Sequence, residues 1–92
     1  MSAISFPAFE QQARASGFDQ VLQRQWPALH ETGTHTHPFE VRAVVVQGEF
    51  WLTVGEQTRH LRAGDTFELQ RDVAHAERYG PDGATYWVAR RS

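Results

Sequence analysis

Three histidines stand at spacings that suit metal binding. His35 and His37 alternate in the segment GTHTHPFEV, and His75 ends the later segment QRDVAH. On a strand, alternate residues point to the same face, about 6–7 Å apart along the backbone. Imidazole nitrogens at that spacing can bind one metal ion at roughly 2.0–2.2 Å, and a third histidine completes a facial set. We therefore predict that these three residues ligate one divalent metal ion.

The other residue types limit what that metal can be and what surrounds it. The chain has no cysteine, so imidazole, carboxylate or water must hold the ion, and Fe, Zn, Ni, Mn, Co and Cu all suit three imidazoles. Glu77 lies two residues after His75 on the same face of a strand, and Tyr79 follows after two more. Glu77 is a candidate fourth ligand, orienting residue or base, and Tyr79 is a candidate catalytic phenol. The alternatives are a Glu77–Arg90 ion pair and plain core packing for Tyr79.

Short strands must position these residues. From His35 onward the chain has runs rich in Val, Phe, Trp, Thr and Tyr, separated by the glycines at 48, 55, 64, 80 and 83. Such a pattern is typical of a small antiparallel barrel or sandwich. The segment Pro7–Ser16 predicts the one helix, because proline suits a first helical turn and Gly17 suits the residue after the end. Residues 18–29 predict an extended segment, with an edge strand or a break at Pro27.

Side-chain alternation predicts an apolar cavity beside the histidines. A regular strand from His35 to Val45, followed by a tight hairpin at residues 47–48, places Phe50 on the histidine face. A four-residue loop at residues 80–83 likewise places Tyr86 beside that face. The predicted wall consists of Phe39, Val41, Phe50, Leu52 and Val54. An apolar cavity with few polar groups suits a small organic ligand.

The size of the chain predicts a partner subunit. A core built from 92 residues is small, so support from a metal or a second subunit is expected. By the same alternation, Trp51 and Trp87 point away from the cavity, and the edges of an antiparallel sheet need cover. We therefore predict a homodimer. The N-terminal helix is the alternative cover for the two tryptophans.

These spacings resemble the two motifs of the cupin superfamily. The first motif has His-x-His, a glutamate four residues later and a glycine seven further on, which here correspond to His35, His37, position 41 and Gly48. The second opens with Gly-Asp and reaches a histidine eleven residues after the glycine, as in Gly64 to His75. The resemblance covers residues 33–79. It implies an all-β fold, a small antiparallel β-barrel of the cupin or jelly-roll type, over a single domain 1–92 with one short N-terminal helix.

Two departures from the family pattern concern the site. Val41 stands where the family usually has its glutamate ligand, and the neighbouring Glu40 would reach the metal only through a local bulge. Gln70 and Asp72 replace the usual proline and glycine of the second motif. The three histidines are thus retained, while the usual carboxylate is missing or displaced.

The resemblance implies dioxygenases, isomerases and plain sensors alike, because one fold hosts many functions. We expect a metal-dependent enzyme on a small organic substrate, dioxygenase-like or isomerase-like, in which turnover depends on the metal more than on Glu77. The alternative is a non-catalytic cupin module that binds or senses a small ligand or a metal.

Charge and hydropathy exclude other partners. The formal charge of −2 argues against a nucleic-acid partner. Residues 1–16 have no basic start and no apolar run long enough for a signal peptide or a membrane span. We therefore expect no membrane partner and a cytoplasmic location.

Overall fold

The computed structural model describes residues 4–92 and consists of one helix and five strands. The elements are α1 (Phe6–Ala15), β1 (Gln20–Trp26), β2 (Glu40–Val54), β3 (Gln57–Arg62), β4 (Thr66–Leu69) and β5 (His75–Arg91). All strand pairs are antiparallel, in the order β1-β5-β2-β3, and β4 also pairs with β2. This arrangement confirms the predicted all-β, antiparallel fold with one short helix. The sheet does not close into a complete barrel, since β1, β3 and β4 each pair with one other strand only in the part of the chain described.

Helix α1 forms where the capping residues predict it. The Ser5 side chain accepts a hydrogen bond from the backbone N–H of Ala8 at 3.2 Å, and Pro7 lies in the first turn. Gly17, just past the end, has φ 96°, a conformation that glycine adopts at little cost. The helix packs through Phe9 on the outer face of the sheet. Within residues 4–92, no helix is long and apolar enough to cross a membrane.

The chain itself covers both outward-pointing tryptophans. Phe6 of α1 meets the Trp87 ring edge-on, with 5.5 Å between the ring centroids. Trp51 stacks on the His60 ring at 4.4 Å, and the Arg78 guanidinium lies 4.5 Å from the Trp51 ring. The tryptophans therefore do not support the predicted homodimer. The homodimer therefore stays a prediction, and its remaining support is that the open edges of the sheet need cover.

The predicted hairpin at residues 47–48 is wrong. Strand β2 continues through this point to Val54, and the turn follows at residues 55–56. The pairing of β2 with β5 instead shifts register between Val45 and Gln47 and again between Gly48 and Phe50. A bulge displaces the alternation of side chains by one residue. Val45 and Phe50 are consequently both buried, as predicted, although a bulged strand and not a hairpin connects them.

A close approach of two glycines accompanies this irregularity. Gly48 has φ 77°, and a Cβ atom added there would overlap the carbonyl oxygen of Gly83. The predicted four-residue loop at residues 80–83 is wrong, because β5 continues through them as strand. These residues are not paired with β2, and the pairing resumes at Ala84. Tyr86 and Val88 then point inward and are buried, as predicted. Strand β1 ends at Trp26 and pairs only with β5, which confirms an edge strand that stops at Pro27.

Candidate metal centre

The structure brings the three predicted histidines together. One ligand nitrogen from each of His35, His37 and His75 lies within 4.8 Å of the other two. His75 begins β5. The prediction that one regular strand runs from His35 to Val45 is wrong, because β2 begins only at Glu40 and the two histidines precede it. Two backbone hydrogen bonds instead join His35 to His75, at 2.9 and 3.0 Å. The His37 carbonyl accepts a hydrogen bond from the Asp72 N–H at 2.9 Å, so each histidine is tied to the turn or strand around position 75.

Hydrogen bonds to carbonyl oxygens set the tautomers of two histidines. The Nδ1 of His35 lies 2.7 Å from the Gly33 oxygen, and the Nδ1 of His75 lies 2.9 Å from the Val73 oxygen. A carbonyl only accepts, so each Nδ1 carries the hydrogen and each Nε2 keeps its lone pair. Histidines that bind metals usually donate their other N–H in this way. The donor set therefore fits a divalent ion.

The surroundings of His37 favour its neutral form and restrict the orientation of its ring. Burial lowers the pKa of His37, and the neighbouring His75 and His35 lower it further. The neutral imidazole, which is the form that binds a metal, is thereby favoured at neutral pH. The His37 ring also stacks on Phe39, with 4.9 Å between ring centroids and 12° between planes. This stacking restricts the orientation of the ring.

Glu77 is the carboxylate nearest to the histidines. It is buried, and its Oε2 lies 3.6 Å from the Nε2 of His35. Its Oε1 accepts hydrogen bonds from the hydroxyl groups of Tyr79 at 2.7 Å and Tyr86 at 3.3 Å. The alternative that Glu77 pairs with Arg90 is wrong, because the Arg90 guanidinium lies over the Phe39 ring instead. One carboxylate oxygen is therefore occupied by two phenols, while the other faces the histidines.

The two phenols remain protonated donors. Burial raises the pKa of Tyr86 to about 12, with a further contribution from the charge of Glu77. Burial also raises the pKa of Tyr79, and Tyr86 and Glu77 add to this increase. The Trp26 indole N–H donates to the Tyr86 oxygen at 2.9 Å. Alternation placed Tyr86 on this face, but its contact with Trp26 could not be predicted, because 60 residues separate the two in the chain.

The two departures from the cupin pattern have clear structural outcomes. Glu40 is not a ligand: its two carboxylate oxygens bind the Arg91 guanidinium at 2.8 and 2.9 Å, on the other face of the sheet. No bulge occurs there, since positions 40–45 of β2 keep a regular register with β5. Asp72 has φ 64°, a conformation that aspartate tolerates better than most residues. It can therefore occupy the turn where the family usually has glycine.

A cavity of about 100 Å³ opens beside the histidines. Phe39 and Val41 line it as predicted, but Phe50, Leu52 and Val54 do not. Phe50 packs against the rings of Phe67, at 5.6 Å, and Tyr86, at 5.7 Å, which themselves line the cavity. Leu52 belongs to the same hydrophobic core, and Val54 packs against it. Tyr86 and Val88 also line the cavity, on the face where alternation placed them. The lining residues that the sequence pattern did not predict are Arg24, Trp26, Phe67, Leu69 and Arg90.

Comparison with known proteins identifies similar domains. A family model described as "Cupin domain" matches residues 21–88. No curated protein sequence is similar enough to this chain to count as a relative.

Three solved structures illustrate the likeness in fold. An RmlC-like cupin from Shewanella frigidimarina NCIMB 400 has 24% identity and a TM-score of 0.68, over 78% of this chain and 65% of that chain. The DMSP lyase DddQ from Ruegeria pomeroyi DSS-3 has 25% identity and a TM-score of 0.72, over 78% of this chain and 37% of that chain. KdgF from Halomonas sp. has 21% identity and a TM-score of 0.65, over 78% of this chain and 68% of that chain. This chain thus spans less than two thirds of the length of the first two.

Proposed function

Since the chain belongs to the cupin family, we propose that His35, His37 and His75 bind one divalent metal ion and that the protein is a metal-dependent enzyme acting on a small organic molecule. We further propose that its reaction is a proton transfer of the isomerase or lyase type. When bound, the metal supplies Lewis-acid polarisation of a substrate oxygen. The observation that carries the proposal is the buried Glu77 carboxylate, 3.6 Å from a histidine nitrogen.

Glu77 has the geometry of a proton carrier. The hydroxyl groups of Tyr79 and Tyr86 hold Oε1 in place. Oε2 faces the cavity side with the histidines and makes no hydrogen bond shorter than 3.5 Å within residues 4–92. A general base must lie within hydrogen-bond reach of the proton that it abstracts. We assign proton abstraction to Oε2 and the positioning of the carboxylate to the two tyrosines.

The small cavity sets the size of the substrate. A volume of about 100 Å³ is well below the roughly 300–1,000 Å³ of sites for drug-sized ligands. It suits a molecule of a few non-hydrogen atoms beside the histidines. The likeness to a DMSP lyase with 25% identity supports elimination or isomerisation chemistry over the dioxygenase-like alternative.

Hydrogen–deuterium exchange at carbon tests this proposal. In D₂O, the metal-loaded protein is expected to accelerate exchange in dihydroxyacetone, glyceraldehyde or pyruvate. Glu77→Gln should retain the metal and slow this exchange by about 10²- to 10⁴-fold, the usual contribution of a general base. The neutral amide keeps the size of the side chain but accepts protons poorly. Proton NMR of the substrates measures the rate, and metal analysis of the variant shows that the site is intact.

The outcomes separate the possible functions. Oxygen consumption in place of exchange would contradict the proposal and favour the dioxygenase-like reaction. Binding of these compounds without exchange would favour the non-catalytic module. A Glu77→Gln variant that loses its metal would show that Glu77 is a ligand and not a base.

A second prediction concerns the position of the missing family glutamate. Val41 lines the same cavity as the histidines, so Val41→Glu is expected to tighten metal binding by about 10-fold or more, since an anionic oxygen joins neutral nitrogens. Val41→Gln, whose side chain has the length of glutamate without its charge, should tighten metal binding much less. Competition with a fluorescent chelator measures both affinities. Weaker retention in the glutamate variant would mean that position 41 does not face the metal.

A further inference from the structure

Two arginines line the cavity without an acidic partner. Arg24 and Arg90 both border it, and neither forms an ion pair within residues 4–92. Each guanidinium instead lies over an aromatic ring, Arg24 over Trp26 at 4.8 Å and Arg90 over Phe39 at 4.6 Å. Stacking of this kind leaves the N–H groups at the edge of the guanidinium available. Within the described residues, the arginines at positions 14, 42 and 91 each pair with a glutamate, and those at 59, 62, 71 and 78 also form no ion pair. What distinguishes Arg24 and Arg90 is that both line the cavity beside the histidines.

Arg90 also has an unsatisfied donor. Its Nε is buried without a hydrogen-bond partner, the single side-chain atom of this kind in the described part of the chain. Burial lowers the pKa of Arg90, and the positive charge of Arg24 lowers it further. A buried donor without an acceptor is costly to stability. In the described part of the chain, Arg90 thus has neither an ion-pair partner nor an acceptor for its Nε donor.

We propose that Arg24 and Arg90 recognise the carboxylate group of a small organic anion. Arginine binds carboxylates through two parallel N–H···O hydrogen bonds, and the rings of Trp26 and Phe39 hold both guanidinium groups at the cavity wall. Glu77 is the sole carboxylate among the residues that line this cavity, so an incoming anion meets more positive than negative charge. The inference deepens the proposed function, because it assumes that the same cavity receives the substrate.

The remaining wall favours an organic acid over an inorganic anion. Apolar side chains from β1, β2, β4 and β5 surround the arginines, among them Val41, Leu69 and Val88. These would contact a carbon skeleton of a few atoms, which inorganic phosphate lacks. The carboxylate is expected at the arginines and the rest of the molecule toward the histidines and Glu77.

Binding of lactate and of its neutral amide tests the proposal. Isothermal titration and NMR shifts of cavity amides, on metal-free and on zinc-loaded protein, should show that lactate binds and lactamide does not. Arg90→Gln is expected to weaken lactate binding by about 10- to 100-fold, the usual effect of losing a hydrogen bond to a charged group, and Arg24→Gln to weaken it as well. Arg42→Gln is the matched control: its guanidinium also stacks on a phenylalanine, Phe18 at 4.8 Å, but lies outside this cavity. Arg42→Gln should leave lactate affinity unchanged.

Several results would overturn the assignment. If lactate and lactamide bound equally well, the carboxylate group would not be what the site recognises. Lactate binding only to the zinc-loaded protein, with an affinity that Arg24→Gln and Arg90→Gln leave unchanged, would show that the metal, and not the arginines, binds the carboxylate. Binding of inorganic phosphate in place of lactate would exclude an organic acid. Wild-type protein that takes up no metal yet binds lactate through Arg90 would contradict the proposed function and leave the present inference intact.

Discussion

Replacing His37 with alanine is expected to abolish stoichiometric metal binding. The wild-type protein should bind one equivalent of a divalent ion through three imidazoles whose nitrogens lie within 4.8 Å of one another. Removal of one of the three ligands should weaken the affinity by more than about 100-fold, since loss of a residue that merely orients a ligand already costs roughly 10- to 100-fold. His37 is half-buried, and its ring makes no hydrogen bond within residues 4–92, so the variant should fold.

Metal analysis after gel filtration and calorimetric titration with Zn²⁺ measure this effect. His60→Ala is the matched control, because His60 is exposed, pairs with Glu49 on the outer face and lies outside the cluster. The melting temperature gives an independent readout: metal at 100 times its Kd should stabilise the wild type by about 2.7 kcal/mol and the variant hardly at all. Unchanged metal content in His37→Ala would refute the three-histidine site.

Replacing Gly48 with alanine is expected to have the largest effect on stability. Its φ of 77° is unfavourable for any residue with a Cβ atom, and the added atom would overlap the Gly83 backbone. The strain costs about 1–2 kcal/mol, and the overlap should bring the total to about 3 kcal/mol or more. The backbone around Gly83 cannot easily yield, because a Cβ atom there would itself overlap the Trp26 carbonyl. A loss of this size is a large fraction of the roughly 5–15 kcal/mol that holds a domain folded.

Urea denaturation followed by tryptophan fluorescence measures the change. Gly55→Ala is the control: Gly55 has φ 60° but nothing within 4 Å of an added Cβ atom. It should lose about 1–2 kcal/mol from strain without overlap. Equal losses in the two variants would show that the close approach of Gly48 to Gly83 of β5 does not limit stability.

The sequence by itself determined the local features. Pro7 in the first turn and Gly17 past the end predict α1, because such signals act within a few residues. The His-x-His pair and the spacing from Gly64 to His75 predicted a cluster that the structure assembles. Alternation along β2 placed Val41, Ala43 and Val45 inside, as observed, since successive side chains of a strand point to opposite faces.

Only the tertiary structure decided how distant strands align. The bulges of β2 depend on the pairing with β5, and no residue type near Gly48 distinguishes a bulge from a hairpin. The tertiary structure likewise decided which residues form the wall of the cavity. Phe50 lies on the buried face, as alternation predicted, but it packs against the rings of Phe67 and Tyr86, which line the cavity.

The polar contacts of the site also follow from strand register. Glu77 receives a hydrogen bond from Tyr86, and Glu40 binds Arg91 on the other face, 51 residues away in the chain. Arg24 reaches the cavity because β1 pairs it with Tyr86 of β5. Register between strands is set by the packing of the whole core. Spacing and alternation along the chain could therefore predict the three histidines, Glu77 and Tyr79 as neighbours. The hydrogen bonds of Glu77 and the approach of Arg24 and Arg90 to the cavity required the folded sheet.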